Sequence, residues 1–168
     1  AYSVQSSNTN YARTTDRIWL DSNEMHQGEY SWKMMKVSDV KASAEEVSSL
    51  GYNTSDWLSA IVPGTVLNSL VYNKKYPEPY GLNNKIESNK IPDISKVGRE
   101  FYTYWFRTEF EVPASFLGKN IWLQPDGINY RAEVWVNGNL LSTINGMFVN
   151  DYINITDFVK VGNKNVLA

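Results

Sequence analysis

The amino-acid sequence predicts an all-β protein, an antiparallel β-sandwich with one or two short helices on its rim. Three observations carry this. Residues 101–113, "FYTYWFRTEFEVP", alternate like a strand with one core face and one wet face. Residues 132–144, "AEVWVNGNLLSTI", set an Asn-Gly pair between two alternating runs, a strong hairpin signal. Aromatic residues make up 14 % of the 168-residue chain, with six Trp and eleven Tyr, and such rings suit sheet faces and large cores.

Taken in order, residues 1–16 are polar and read as a loosely ordered lead, and residues 17–168 as a single domain. Short apolar runs predict strands at Arg17–Leu20 and Tyr30–Val37. "SAEEVSSLG" carries a helix start, with Ser43 as cap, Glu46 three residues on and Gly51 as stop. "PGTVLNSLVYNKKYP" predicts a better helix, capped by Thr65, with a stripe of Val66, Leu67, Leu70 and Val71. Lys74 and Lys75 fall where the helix dipole favours cations, before Pro77. Residues 78–100 show no period and read as a long loop, which inside a compact domain is often functional. In the strand that follows, Tyr102, Tyr104, Phe106, Thr108, Phe110 and Val112 take the core parity, and Trp105, Arg107, Glu109 and Glu111 the wet one. "NIWLQPDG" predicts a second strand closed by a turn at Asp126-Gly127. "DYINITDFV" predicts a strand start and a short turn, and "NVLA" the opening of a last strand. That last strand stops after a few apolar residues, so the chain is expected to be a fragment of a longer protein.

Composition narrows the function classes. The net charge is -2 and no basic stripe is visible, which argues against nucleic acid as a partner. No apolar run nears the roughly 20 residues that cross a bilayer. With no cysteine and a single histidine, His26, thiolate and multi-histidine metal sites are excluded, and no Asp-rich loop points to calcium. We expect no metal and no cofactor.

Candidate chemistry is sparse. Glu109 and Glu111 share a strand face, but a solvated strand explains them better than a catalytic pair, because pKa tuning needs burial or close like charge. Trp105 and Trp135 sit opposite the core parity. They could stack on a sugar, but a second layer covering that face is the favoured reading. Asn53-Thr-Ser and Asn154-Ile-Thr match the glycosylation pattern, with chance as the default. In "PEPYGLNNK", Tyr80, Asn83 and Asn84 form either a hydroxyl-binding edge or a connector that satisfies its own backbone. Nothing in the residues offers a catalytic group.

Several ordered motifs together resemble the N-terminal domain of family-2 glycoside hydrolases, over about Tyr30 to Ala168. They are Trp105-Phe106-Arg107-Thr108-Glu109-Phe110, Asp126-Gly127-Ile128-Asn129, Val134-Trp135-Val136-Asn137-Gly138, Asn154-Ile155-Thr156 and Gly162-Asn163 with Asn165-Val166-Leu167-Ala168. The branch they look most like holds exo-β-glucosaminidases and β-mannosidase-like enzymes, often found in gut Bacteroides. The chain departs from many relatives at Phe106, where they carry Tyr, and at Gly146-Met147-Phe148.

The resemblance implies a jelly-roll domain, related to galactose-binding sandwiches, that precedes immunoglobulin-like domains and a TIM barrel of the same chain. The catalytic glutamates then belong to the barrel, so this chain alone is expected to be inactive. Its "PYGLNN" segment would edge the barrel's pocket, with Asn83 and Asn84 as substrate contacts. The parent would be a retaining, exo-acting hydrolase of terminal β-linked glucosaminides or mannosides, periplasmic or extracellular. The alternative is an autonomous carbohydrate-binding module.

Overall fold

The computed structural model describes residues 16–23, 28–80, 89–146, 149–150 and 152–168. The strands among them are β1 (Lys33–Lys36), β2 (Leu58–Ser59), β3 (Tyr104–Glu111), β4 (Trp122–Leu123), β5 (Asp126–Ile128), β6 (Arg131–Val136), β7 (Asn139–Asn145), β8 (Val149–Asn150), β9 (Ile153–Asn154) and β10 (Lys164–Leu167). The α-helices are α1 (Ala44–Val47), α2 (Val66–Tyr72) and α3 (Ile94–Val97). One antiparallel sheet of six strands runs β2-β1-β3-β10-β6-β7, and the pairs β4-β9 and β5-β8 form the smaller second layer. This is the β-sandwich the sequence predicts.

The core lies between these layers. Met34, Phe110, Val134, Val136 and Leu167 come from the large sheet, and Ile121, Ile153 and Ile155 from the segments of the second layer. Strand β10 is central: Leu167 faces Thr108 on one side and Val136 on the other. A strand paired on both edges and covered on both faces needs apolar residues at consecutive positions. Val166 and Leu167 meet that need, and both are buried.

The β6–β7 hairpin turns at Asn137 (φ 48°) and Gly138 (φ 82°), with Asn139 paired to Val136. Two successive positive φ values make the type I′ turn, whose twist matches the flanking strands. A Cβ at Gly138 would also stand 3.0 Å from Ser49 Oγ, since the Gly138 N–H donates to Ser48 O at 3.0 Å. Asn137 then joins the hairpin to the β10 segment. Its Nδ2 donates to Asn165 Oδ1 (2.8 Å) and its Oδ1 accepts from the Val166 N–H (2.9 Å). The fully buried Asn165 also accepts from Lys160 N and donates to Lys160 O and Asn163 O. Every polar atom of that amide is thereby satisfied.

Helix α1 starts at the predicted capping box: Ser43 Oγ accepts from Glu46 N, and Glu46 Oε2 accepts from Ser43 N at 2.9 Å. Helix α2 starts at Thr65, whose Oγ1 accepts from Asn68 N at 3.1 Å. It ends before the lysines. Lys74 takes a left-handed φ of 58° and Lys75 N returns to Leu70 O, so neither Lys sits in the last helical turn.

The wet parity of β3 is where the prediction fails most. Arg107 lies on it and is only 3 % exposed. Its Nε donates to Val47 O at 2.9 Å and its Nη2 to Ser49 O at 3.0 Å and Glu109 Oε1 at 3.0 Å. The carbonyls at a helix C-terminus lack intrahelical partners. The guanidinium supplies them for α1 and holds that helix on the outer face of the sheet. Val47, Trp57, Trp135 and Val166 are buried there too.

Other differences are local. Arg17–Leu20 forms no strand. The segment reaches the fold through the Ser22–Tyr30 bridge, and the strand expected from Tyr30 starts at Lys33. The 78–100 region is not all loop, because Asp93 caps α3 and a 3-10 turn follows at Glu100–Tyr102. The predicted turn at Asp126-Gly127 lies inside β5, where Gly127 (φ 106°) marks a register shift against β8. A Gly in the left-handed region bends a strand at a bulge as readily as it closes a turn.

Two outcomes follow for stability. Arg107→Ala leaves the Val47 and Ser49 carbonyls without their donors and is expected to cost about 2–4 kcal/mol in urea denaturation, whereas Glu109→Gln, on a half-exposed pair, costs less than about 1 kcal/mol. Asn165→Ala strips the stitch between hairpin and β10 and is expected to cost about 2–4 kcal/mol by the same assay.

Candidate functional site

The sequence points to the loop before β3, and the structure fixes its two roots. At the first, Tyr76 packs against the core. Four residues on, Tyr80 stands 85 % exposed, a large aromatic directly after Pro79. At the second, Ile91 is buried and the Pro92 carbonyl accepts from Tyr102 Oη at 2.6 Å. Asp93 Oδ1 accepts from Ser95 N (2.9 Å) and Ser95 Oγ (2.8 Å), which starts α3. The 3-10 turn is clamped in turn, with Lys36 Nζ 4.0 Å from the Phe101 ring centroid and Phe101 edge-on to Tyr102. Asn83 and Asn84 lie outside the described residues, as do His26, Met147 and Phe148.

Electrostatics at the roots follows from these contacts. The hydrogen bonds from the Ser95 backbone and side chain, with Lys96 adding, hold the Asp93 carboxyl below its ordinary value. Burial, then the neighbouring Tyr76, pushes the Tyr102 and Tyr104 phenols up. These phenols stay neutral at physiological pH, and the Tyr102 hydroxyl donates to Pro92 O. The roots can therefore position a loop and offer hydroxyl and aromatic surface.

The remaining candidates resolve into structural roles. Glu109 is engaged by Arg107, and Glu111 is exposed. Trp135 is buried and donates Nε1–H to Glu133 Oε2 at 3.1 Å, so it offers no platform to a sugar. Covering of that face, the favoured expectation, is what α1 and its following segment provide. Asn53 Oδ1 accepts from Ser55 N at 2.9 Å, and Asn154 Oδ1 accepts from Thr156 N and Oγ1. Both glycosylation-like triplets thus close Asx turns. Thr156 Oγ1 also accepts from Ile121 N at 2.8 Å, which ties β9 to the start of β4. Among the described residues, no group of three or more His, Cys, Asp or Glu is placed to hold a metal ion.

A six-stranded antiparallel sheet, a split second layer and a pinned loop ahead of the central strands define the class as a galactose-binding-like β-sandwich. The chain belongs to the glycosyl hydrolase 2 galactose-binding domain-like family, whose family model matches residues 32–168. It is 44 % identical over 116 residues to a mannosylglycoprotein endo-beta-mannosidase of Lilium longiflorum, covering 68 % of this chain and 12 % of that protein. It is 29 % identical over 130 residues to an exo-beta-D-glucosaminidase of Amycolatopsis orientalis, covering 76 % of this chain and 11 % of that protein. The crystal structure of the Amycolatopsis orientalis exo-chitosanase CsxA superposes with a TM-score of 0.64 at 26 % identity, over 83 % of this chain and 16 % of that one. The chain therefore spans roughly a tenth of the length of these curated relatives.

The loop roots carry opposite pH responses. Asp93 has a depressed folded value, so its cap is intact above the ordinary aspartate value of about 3.9 and is lost as pH falls through the lower folded one. The Ser95 amide resonance is expected to titrate with a midpoint below that of a free aspartate. Tyr102 and Tyr104 have raised folded values, so their contribution is complete below about pH 10 and is lost as pH rises through the higher folded values. Tyrosinate absorbance is expected to show these two ionising above the ordinary tyrosine value of about 10, with stability falling as they do.

Proposed function

We propose that this chain is the non-catalytic β-sandwich domain of a larger glycoside hydrolase acting on β-linked mannosides or glucosaminides. It packs on a catalytic barrel elsewhere in the same chain, beside immunoglobulin-like domains, and its 78–100 loop edges the barrel's pocket through Asn83 and Asn84. The observation that carries this reading is a proportion. The family match fills residues 32–168, yet the chain amounts to 11–12 % of enzymes named for β-mannosidase and β-glucosaminidase activity. The described carboxylates support it, since none forms a shielded, close pair of the kind glycoside hydrolysis uses.

For the bond that is cut, we take exo action on a terminal β-linked sugar as the leading reading, in line with the exo-β-D-glucosaminidase relative. The higher identity to a protein named as an endo-β-mannosidase favours a second reading, cleavage at an internal β-mannoside. Aryl β-mannoside, aryl β-glucosaminide and a mannosylglycoprotein substrate, offered to the parent protein, separate these.

The purified 168-residue chain is expected to hydrolyse none of the three, and turnover by it alone overturns the reading. In the parent protein, Asn83→Ala and Asn84→Ala are each expected to raise KM about five- to tenfold for the preferred substrate, as the loss of one hydrogen bond to a sugar hydroxyl does. An unchanged KM in both removes the loop from the pocket.

A further inference from the structure

The outer face of the large sheet carries a cleft that the reading above leaves unused. It opens beside the C-terminal end of β1, with Met35 on its floor and the 39–42 and 52–57 segments as walls. Its volume of ≈ 540 Å³ falls within the span of about 300–1,000 Å³ typical of small-ligand sites. No described residue of the 78–100 region lines it.

The wall has an unusual polar character. Three tryptophans are buried in this fold. Trp32 Nε1 donates to Leu20 O at 2.6 Å and Trp135 Nε1 to Glu133 Oε2 at 3.1 Å. Trp57, in the cleft wall, is only 6 % exposed, and its indole N–H has no hydrogen-bond partner among the described residues. A buried donor left without an acceptor costs free energy, and native structures rarely keep one without cause. Beside it, Asp56 and Lys41 face the same cleft, and neither joins an ion pair or a side-chain hydrogen bond among the described residues. Tyr52 meets the Trp57 ring edge-on at 5.8 Å and gives the cleft an aromatic side.

The chemistry of this wall selects a ligand class. One lysine against Asp39 and Asp56 repels a phosphate more than it attracts one. Charged side chains in the wall disfavour a purely apolar ligand. A polyol suits an unpartnered indole N–H, an ammonium and a carboxylate together, because each hydroxyl both donates and accepts. It can accept from the indole N–H and from the ammonium while it donates to the carboxylate, and a pyranose adds a C–H face that packs on an aromatic ring. We propose that this cleft is a saccharide-binding site, separate from the loop, in which Trp57 Nε1–H and Lys41 donate to, and Asp56 accepts from, the hydroxyls of one pyranose.

The site is tested on the 168-residue chain labelled with 15N at tryptophan, titrated with methyl β-mannoside, methyl β-glucosaminide and methyl β-galactoside. Trp57→Phe assigns the Trp57 indole signal. At least one glycoside is expected to move that signal saturably in the millimolar range while the Trp32 and Trp135 indole signals stay in place. Asp56→Asn, at an exposed position that leaves the core intact, is expected to weaken the response at least tenfold. The proposal is overturned if the Trp57 signal is unmoved by all three glycosides. It is equally overturned if the response survives Asp56→Asn unchanged, or if the shifts centre on other tryptophans. Catalysis by the parent protein enters none of these readouts.

Discussion

The guanidinium of Arg107 is the contact on which the layered arrangement depends. A six-stranded sheet has two faces, and the small second layer covers one of them. The other face is closed by α1 and the segment after it, which are too short to hold themselves in place by packing alone. Arg107 solves this by reaching from the middle of β3 to two carbonyls at the end of α1, with Glu109 balancing the charge. Lysine could not substitute in kind, because the contact uses donors on Nε and Nη2 in a fixed fork. With α1 seated, Val47, Trp135 and Val166 are buried on what would otherwise be a wet surface.

A second stitch fixes the order of the strands. Asn137 and Asn165 form one amide network that links the β6–β7 turn to the loop entering β10. The network fixes register where side-chain packing could not. A one-residue slip of β10 would exchange Val166 and Leu167 between faces, and both faces accept an apolar residue. Directional hydrogen bonds remove that degeneracy. The Gly138 turn joins the same arrangement: its φ of 82° favours glycine, and its N–H donates to Ser48 O just beyond α1.

Two surface regions of this scaffold bear on the proposals above. The 78–100 region is held at both roots by Tyr76, Ile91, Tyr102 and Asp93. The cleft beside β1 owes its shape to the covering of the outer face, because the 52–57 segment that walls it is the continuation of α1.

The sequence alone determined features that depend on near neighbours. The Ser43–Glu46 capping box, the Thr65 cap and the Asn137-Gly138 turn are set by residues within a few positions of one another, and the motifs of β3 and β6 marked the family. Tertiary structure decided whatever depends on partners far along the chain. Arg107 reads as a wet-face cation, because nothing local shows that α1, some 60 residues earlier, will lie over it. Asp126-Gly127 reads as a turn, because a bulge and a turn use the same backbone freedom and only the pairing with β8 separates them. Trp57 and Asp56 carry no periodic or motif signal, so the cleft was illegible until folding brought Met35 and the 52–57 segment to one place. Periodicity reports which side a residue faces, and only the assembled fold reports what it meets there.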